Sequence, residues 1–428
     1  MSTRLDLRRV ALGLLLIAAG AAGALLGYVL GARAGTATPV SAGDRLLDGT
    51  LPLDPTPLGE LAKERAAMGA RWLAGVARDD GSFLYIYYPE DDVYDAEDYN
   101  EVRHAGTTYS LFSAHGVTSE ANVLEAAEGG AAYIDASSVA LSGDRGRAFV
   151  YEDRMKLGGQ ALAVVALLER RRVLNDTSRD DLIEDLARAM IAMELPEQPG
   201  RYYQSYDHGT GSFSLEPDSD YYPGEALLAF TRLAQQYPDG PYLEHATRAA
   251  RYLIYERDGD IPAARDVPRQ DHWLTLALAE LYRLDPRPEY REVAYLQADD
   301  MTATQHGADD LSMRIGGSEL QSPINYTSTA TKAEALVAAW ALARFSNDDA
   351  AEERYSTAVG RNLQFQLRVQ FTAENTQLLP RPEGAIGGWG KDAVDPWIRI
   401  DFVQHNISGL LGLWAMTSAG DIPIDASD

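Results

Sequence analysis

Apolar residues recur at helical spacing along most of the chain, in blocks separated by polar, aromatic loops. Leu61, Met68, Trp72 and Val76 set the pattern within residues 58–77 and predict a first amphipathic helix. The same reading predicts eleven more. Helices are expected over 119–135, 179–193, 241–255, 288–305 and 352–369. Others open just after Tyr99, at Lys156, at Tyr222, at Asp271, at Asn325 and at Arg399. The run from Gly81 to Tyr88 is short and β-like.

The helices alternate in character. Even-numbered ones are apolar on most faces, as in Ala161–Leu168 and Ala335–Leu342, which marks them as buried. Odd-numbered ones are amphipathic and belong outside. Loops from odd to even helices are long and rich in Tyr, Asp and Gly, whereas loops from even to odd are mostly short, as at Ser346–Asp349. A motif-to-motif period of about 55–60 residues signals an array of repeated supersecondary units. Six helix hairpins with buried even members make an inner ring inside an outer ring. This all-α pattern resembles the (α/α)6 toroid of the six-hairpin glycosidase-like enzymes over residues 58–416. A linear helical solenoid is the alternative architecture. It does not explain why the polar loops and charged helix starts fall at one end of the buried helices.

Asp220–Phe230 shows how such a start is built. A polar loop runs into Pro223-Gly224, places Glu225 and continues as an apolar helix. Proline suits the first helical turn because its missing N–H has no partner there. The free N–H groups of that turn favour a negative charge. In a toroid the N-termini of the inner helices converge on one mouth. The resemblance therefore gathers Arg103, His104, Asp153, Lys156, Glu225, Asp271, His272, Lys332, Glu334, Asp401 and His405 there. The long loops add Tyr85, Tyr87, Tyr206, Tyr221, Tyr222, Trp389 and Trp397, with Arg399 and Gln404 beside the last helix start.

Aromatic faces that stack on sugar rings, among polar groups that bond hydroxyls, suit a saccharide. Hydrolysis of a glycosidic bond needs two carboxyl groups with separated pKa values. Glu225 and Asp401 lead that pool because each sits in an apolar stretch that should raise its pKa. Asp153, Asp271 and Glu334 complete it. Each of these acids also fits a simple cap or first-turn role.

Arg103-His104 opens a helix against the dipole preference, so a local partner is expected. Either a substrate carboxylate or a bridge to Glu152 or Asp153 would serve. Arg103, His104, Lys156, Tyr222, His272, Trp389, Arg399, Gln404 and His405 are the candidate substrate-binding residues. With histidines and Arg103 at the mouth, a uronate C5-epimerase or lyase is the second reading. Sugar 2-epimerases of similar toroid shape also use paired histidines and an arginine, although their local motifs are absent here. A non-catalytic glycan-binding protein is the third reading.

Composition narrows the partners. A net charge of −26 without basic patches argues against nucleic acid. The chain has no cysteine, which removes disulfides, thiolate zinc sites and cysteine nucleophiles. No cofactor or metal is called for. The acidic run Asp91–Asp98 lacks the turn glycine and alternation of a calcium-binding loop. Arg4, Arg8 and Arg9 precede an apolar run from Val10 to Ala32, about 34 Å long as a helix and enough to span a bilayer. Residues 1–34 are thus expected to form a signal anchor, or a signal peptide cleaved near Ala32-Arg33-Ala34. Residues 35–57 read as a flexible tether and 58–428 as the toroid domain, held outside the cytoplasm.

Overall fold

The structure, a computed structural model, describes residues 56–95, 99–307, 314–318 and 323–418. The expected anchor and all but the end of the tether lie outside the described residues. Among the described residues no helix is long and apolar enough to cross a membrane.

The long helices follow the apolar blocks of the sequence. They are α1 Thr56–Gly75, α2 Glu101–Thr118, α3 Ala121–Ala136, α4 Leu157–Leu174, α5 Asp180–Ala192 and α6 Tyr222–Gln236. After them come α7 Tyr242–Tyr255, α8 His272–Leu284, α9 Pro288–Ala303, α10 Tyr326–Phe345, α11 Asp349–Val369 and α12 Ile400–Ser418. Capping chemistry sets several boundaries. The Asn100 side chain accepts from the N–H groups of Val102 and Arg103, Asp271 caps Leu274, and Asn325 caps Ser328. Left-handed residues Ser119 (φ 58°) and Asn175 (φ 48°) end α2 and α4. Helix α11 begins earlier than its apolar pattern because Asp348 accepts from the Ala351 N–H.

Each even helix packs against the next even helix, and α12 packs back onto α2, so the inner ring closes. Closure rules out the linear solenoid. Outside it, α3, α5, α7, α9 and α11 lie against the inner helix that precedes them, and α1 lies against α12. The inner positions demand apolar residues on every side. In α4 every residue from Leu157 to Arg170 is buried. Each fully buried Leu or Val there contributes roughly 1.5–3 kcal/mol through apolar burial.

Long loops carry small sheets on one end of the ring. These hold β1 Ile86–Tyr88, β2 Val93–Asp95, β3 Ser138–Ala140, β4 Arg147–Phe149, β5 Arg154–Lys156, β6 Ser205–Asp207, β7 Ser212–Ser214 and β8 Ile398–Arg399. Strand order is β2-β1-β8 in one sheet, β3-β4 in a second and β5-β6-β7 in a third. The pairing of Ile86 with Arg399 and Tyr87 with Ile398 joins the first long loop to the last. Only the end of the β-like run before Tyr88 forms a strand. In the acidic segment, Asp92 accepts from the Tyr87 hydroxyl (3.1 Å) and faces Arg381 (3.2 Å), while residues 96–98 lie outside the described ones.

Candidate active site

The N-terminal ends of all six inner helices surround one cavity of about 860 Å³. Asn100, Val102 and Arg103 come from the start of α2, Leu162 from α4, and Tyr221, Tyr222 and Glu225 from α6. His272 and Trp273 open α8, Asn325 to Thr331 open α10, and Asp401 to His405 open α12. The loop before α12 adds Lys391, Asp392, Trp397 and Arg399.

Two histidines meet at the floor, their rings 5.3 Å apart and edge to face. His405 Nδ1 lies 2.8 Å from Glu334 Oε2. A carboxylate only accepts, so Nδ1 carries the proton and Nε2 is the nitrogen left for a substrate. Burial alone would depress His405, but the charge and hydrogen bond of Glu334, helped by Asp401, raise its pKa. His272 has the opposite bias. Burial and the neighbouring His405 hold its pKa well below the usual value, so it is neutral. Its Nε2 is buried without a hydrogen-bond partner, 3.8 Å from Glu334 Oε2.

The donor atoms of His272, Glu334 and His405 lie within 4.8 Å of one another, the composition of a two-histidine, one-carboxylate metal set. The closest two already bond to each other, so we read the trio as an acid–base group.

The two leading carboxylates differ sharply. Glu225 is 3% exposed, and its Oε2 has no hydrogen bond. Burial, then the charge of Asp271, push its pKa up to about 8 against the opposing pull of Arg103. Gly158 makes room for it, since a methyl there would strike Glu225 Oε2 itself and meet the Tyr222 ring at 2.5 Å. Asp401 behaves otherwise. Burial would raise it, but hydrogen bonding and charge from Arg399, together with the charge of Arg103, outweigh burial and lower its pKa. Arg399 Nε approaches Asp401 Oδ1 at 2.5 Å, and Arg103 Nε approaches Oδ2 at 3.0 Å. The sequence expectation of a raised Asp401 pKa is therefore corrected. So is the expected partner of Arg103, which bonds Asp401 and the Tyr85 hydroxyl (2.6 Å) rather than Glu152 or Asp153.

Trp397 and Phe402 pack with ring centres 4.9 Å apart and planes tilted by 42°, with the Arg399 guanidinium 5.5 Å and 4.6 Å from those centres. This makes an aromatic flank to the cavity. Gln404 reaches the lining beside Gly106, where a methyl group would collide with its amide at 2.5 Å.

Several expected mouth residues lie elsewhere. His104 follows Arg103 on the helix but points outward, between the Tyr99 hydroxyl (2.7 Å) and the Gly130 carbonyl (3.0 Å). Trp389 is fully buried and donates its indole N–H to Gln366. Asp153 occupies an exposed turn with φ 60°, and its carbonyl accepts from His208. Lys156 pairs with the buried Glu101 at 3.0 Å, behind the lining. Asp271 caps α8 and is fully buried, and Lys332 donates to Thr304. Glu334 stands one layer back, where it accepts from His405 Nδ1. The sequence reading did not single out Asn100, Ser219, Thr327, Ser328, Thr331, Lys391 or Asp392 as lining residues. Asn100 was findable as the cap of an inner helix, but Ser219 and Lys391 come from irregular loops.

Fold and site together define a six-hairpin (α/α)6 toroid with a polar, aromatic-flanked cavity at its inner-helix N-termini. No protein-family model and no curated protein matches the chain. Solved structures do. A D-mannose isomerase superposes with a TM-score of 0.61 at 14% identity, covering 84% of this chain and 97% of that one. Cellobiose 2-epimerase from Bacillus thermoamylovorans gives 0.61 at 12% identity, covering 83% and 99%. A glycoside hydrolase family 76 mannosidase from Bacteroides thetaiotaomicron gives 0.57 at 11% identity, covering 83% and 98%. These proteins share the six-hairpin toroid, and at such identities the likeness establishes the fold.

Proposed function

We propose that this protein is a carbohydrate-active enzyme that moves a proton next to the carbonyl of an open-chain aldose, as a sugar 2-epimerase or aldose–ketose isomerase. One observation carries the reading. His272 and His405 share a cavity with opposite proton preferences, and Glu334 braces the second. Neutral His272 is suited to accept the proton on the carbon, and charged His405 to deliver one, each a general acid–base role. Exchange with solvent resets the pair. The names of the structural neighbours, two of which act on free sugars, favour the same class.

Glycoside hydrolysis is the second reading, favoured by the raised pKa of Glu225, which suits a general acid. It lacks an evident second carboxylate, because Asp401 is engaged by two arginines and Glu334 by His405. A uronate substrate is less favoured, since Arg103 is already matched by Asp401 and Tyr85. Incubation with glucose, mannose and cellobiose, followed by chromatography, separates the readings. A ketose or C2-epimer product supports the proposal. Release of monosaccharide from an oligosaccharide, with no isomer formed, would replace it with hydrolysis. Binding without turnover would leave a glycan-binding protein. We further propose that the Val10–Ala32 run anchors the toroid outside the cytoplasm. Recovery of the full-length protein in the soluble cytoplasmic fraction would contradict that.

A further inference from the structure

Glu225 has no role in the proton transfers assigned above to the histidines, yet it is the feature of the cavity that polar burial explains least. It lies in the first turn of α6, lines the cavity and is 3% exposed, with Oε2 unpartnered. Among the described residues no cation forms an ion pair with it. The charged and titratable groups that bear on it are Asp271, whose charge opposes its ionisation, Arg103, which favours it, and Tyr222 on its own helix. On helix α4, Gly158 faces it, leaving no room there for a side chain. A buried carboxyl in such surroundings is stable as the neutral acid, which, unlike a carboxylate, has an O–H to give. A carboxylic acid kept neutral by its site donates a strong hydrogen bond to an oxygen that gains charge during reaction.

We propose that Glu225 donates its carboxyl O–H to the carbonyl oxygen of the open-chain sugar and stabilises the charge that develops there. This rests on the proton-transfer reading above. The C–H bond beside the carbonyl breaks, its proton goes to a histidine, and its electron pair forms the carbon–carbon double bond. The carbonyl π pair moves onto oxygen, against the Glu225 O–H. For a 2-epimer, return of a proton to C2 from a histidine reverses these shifts. For a ketose, the proton returns to C1 and the C2 hydroxyl proton passes to the first oxygen as C2=O forms. In both cases Glu225 ends as it began.

The substitutions Glu225→Gln and Glu225→Leu test this. The amide keeps a donor of the same shape, so Glu225→Gln should retain kcat within about tenfold, whereas Glu225→Leu should lose about 10²–10³ in kcat with KM little changed. Difference infrared spectra at pH 7 should show a protonated carboxyl band in the wild type that Glu225→Gln lacks, a readout independent of turnover. A Gln variant as inactive as the Leu variant would overturn the proposal in favour of proton donation by Glu225 itself. Absence of the carboxyl band would overturn it as well. If the band is present but the wild type forms no isomer from any aldose, the proton-transfer reading has failed and this role falls with it.

Discussion

The two ends of the inner helices treat buried charge in opposite ways. Toward their C-termini, Arg232 donates to Glu280 at 2.8 Å and lies 5.2 Å from the Tyr109 ring centre. Beside it, Glu169 accepts from Arg172 and Ser113, both at 2.7 Å. At the N-terminal mouth, Glu225 Oε2 and His272 Nε2, both of cavity-lining residues, are buried without a hydrogen bond. An unsatisfied buried polar group costs about 1–3 kcal/mol. At the far end these paired acids tie neighbouring inner helices together. The mouth keeps polar atoms in reserve for something that is not protein.

That contrast can be broken by experiment. The largest expected effect is at the mouth. His405→Gln keeps a donor toward Glu334 but removes the acid–base nitrogen, and should lose about 10²–10⁴ in kcat/KM while its denaturation midpoint stays near wild type. At the far end, Arg232→Met strands Glu280 and should lose about 3–5 kcal/mol in urea unfolding, with activity per folded molecule retained. Matching losses of activity and stability at both sites would dissolve the distinction.

Smaller effects sharpen it through pH. Glu225 has a folded pKa raised to about 8, so the folded state resists its ionisation above the ordinary carboxylate range near 4.5. Glu225→Gln should accordingly be more stable than wild type at pH 8, by roughly 1–3 kcal/mol, with the gap closing near pH 4. Glu169 is the opposite case. Burial works to raise its pKa, but hydrogen bonding and charge from Arg172 prevail and lower it. Its contribution is present above the ordinary carboxylate pKa and is lost as pH falls through the folded value. In acid, Glu169→Gln should lose less stability than wild type. Smallest of all, dialysis against a chelator should leave turnover unchanged if the histidine trio works as an acid–base group. Loss of activity restored by a divalent ion would reassign it.

The architecture was legible because it rests on local signals. Apolar period, caps such as Asn100 and Asp271, and the alternation of buried and amphipathic helices are written in contiguous residues. Site membership was legible by helix turn. Arg103, Glu225, His272, Asp401 and His405 do reach one cavity. The face of a helix was harder. One residue rotates an α-helix by about 100°, so Arg103 enters the cavity while His104 enters the outer layer. Trp389 carried no local sign that the core would claim its indole. Against the pull of burial, the state of Asp401 is set first by its near neighbour Arg399, with a further contribution from Arg103, 298 residues away in sequence, a contact that no spacing reports. The small sheets of the mouth also escaped, because three-residue strands carry little periodicity.

The most direct test of the central claim is solvent hydrogen exchange at the carbon beside the sugar carbonyl. Wild-type protein incubated with mannose or cellobiose in D2O should place deuterium at C2 of an epimer or at C1 of a ketose, seen by proton NMR as loss of that resonance, and His405→Gln should not. Turnover of a saccharide with no deuterium entering on carbon would contradict the account.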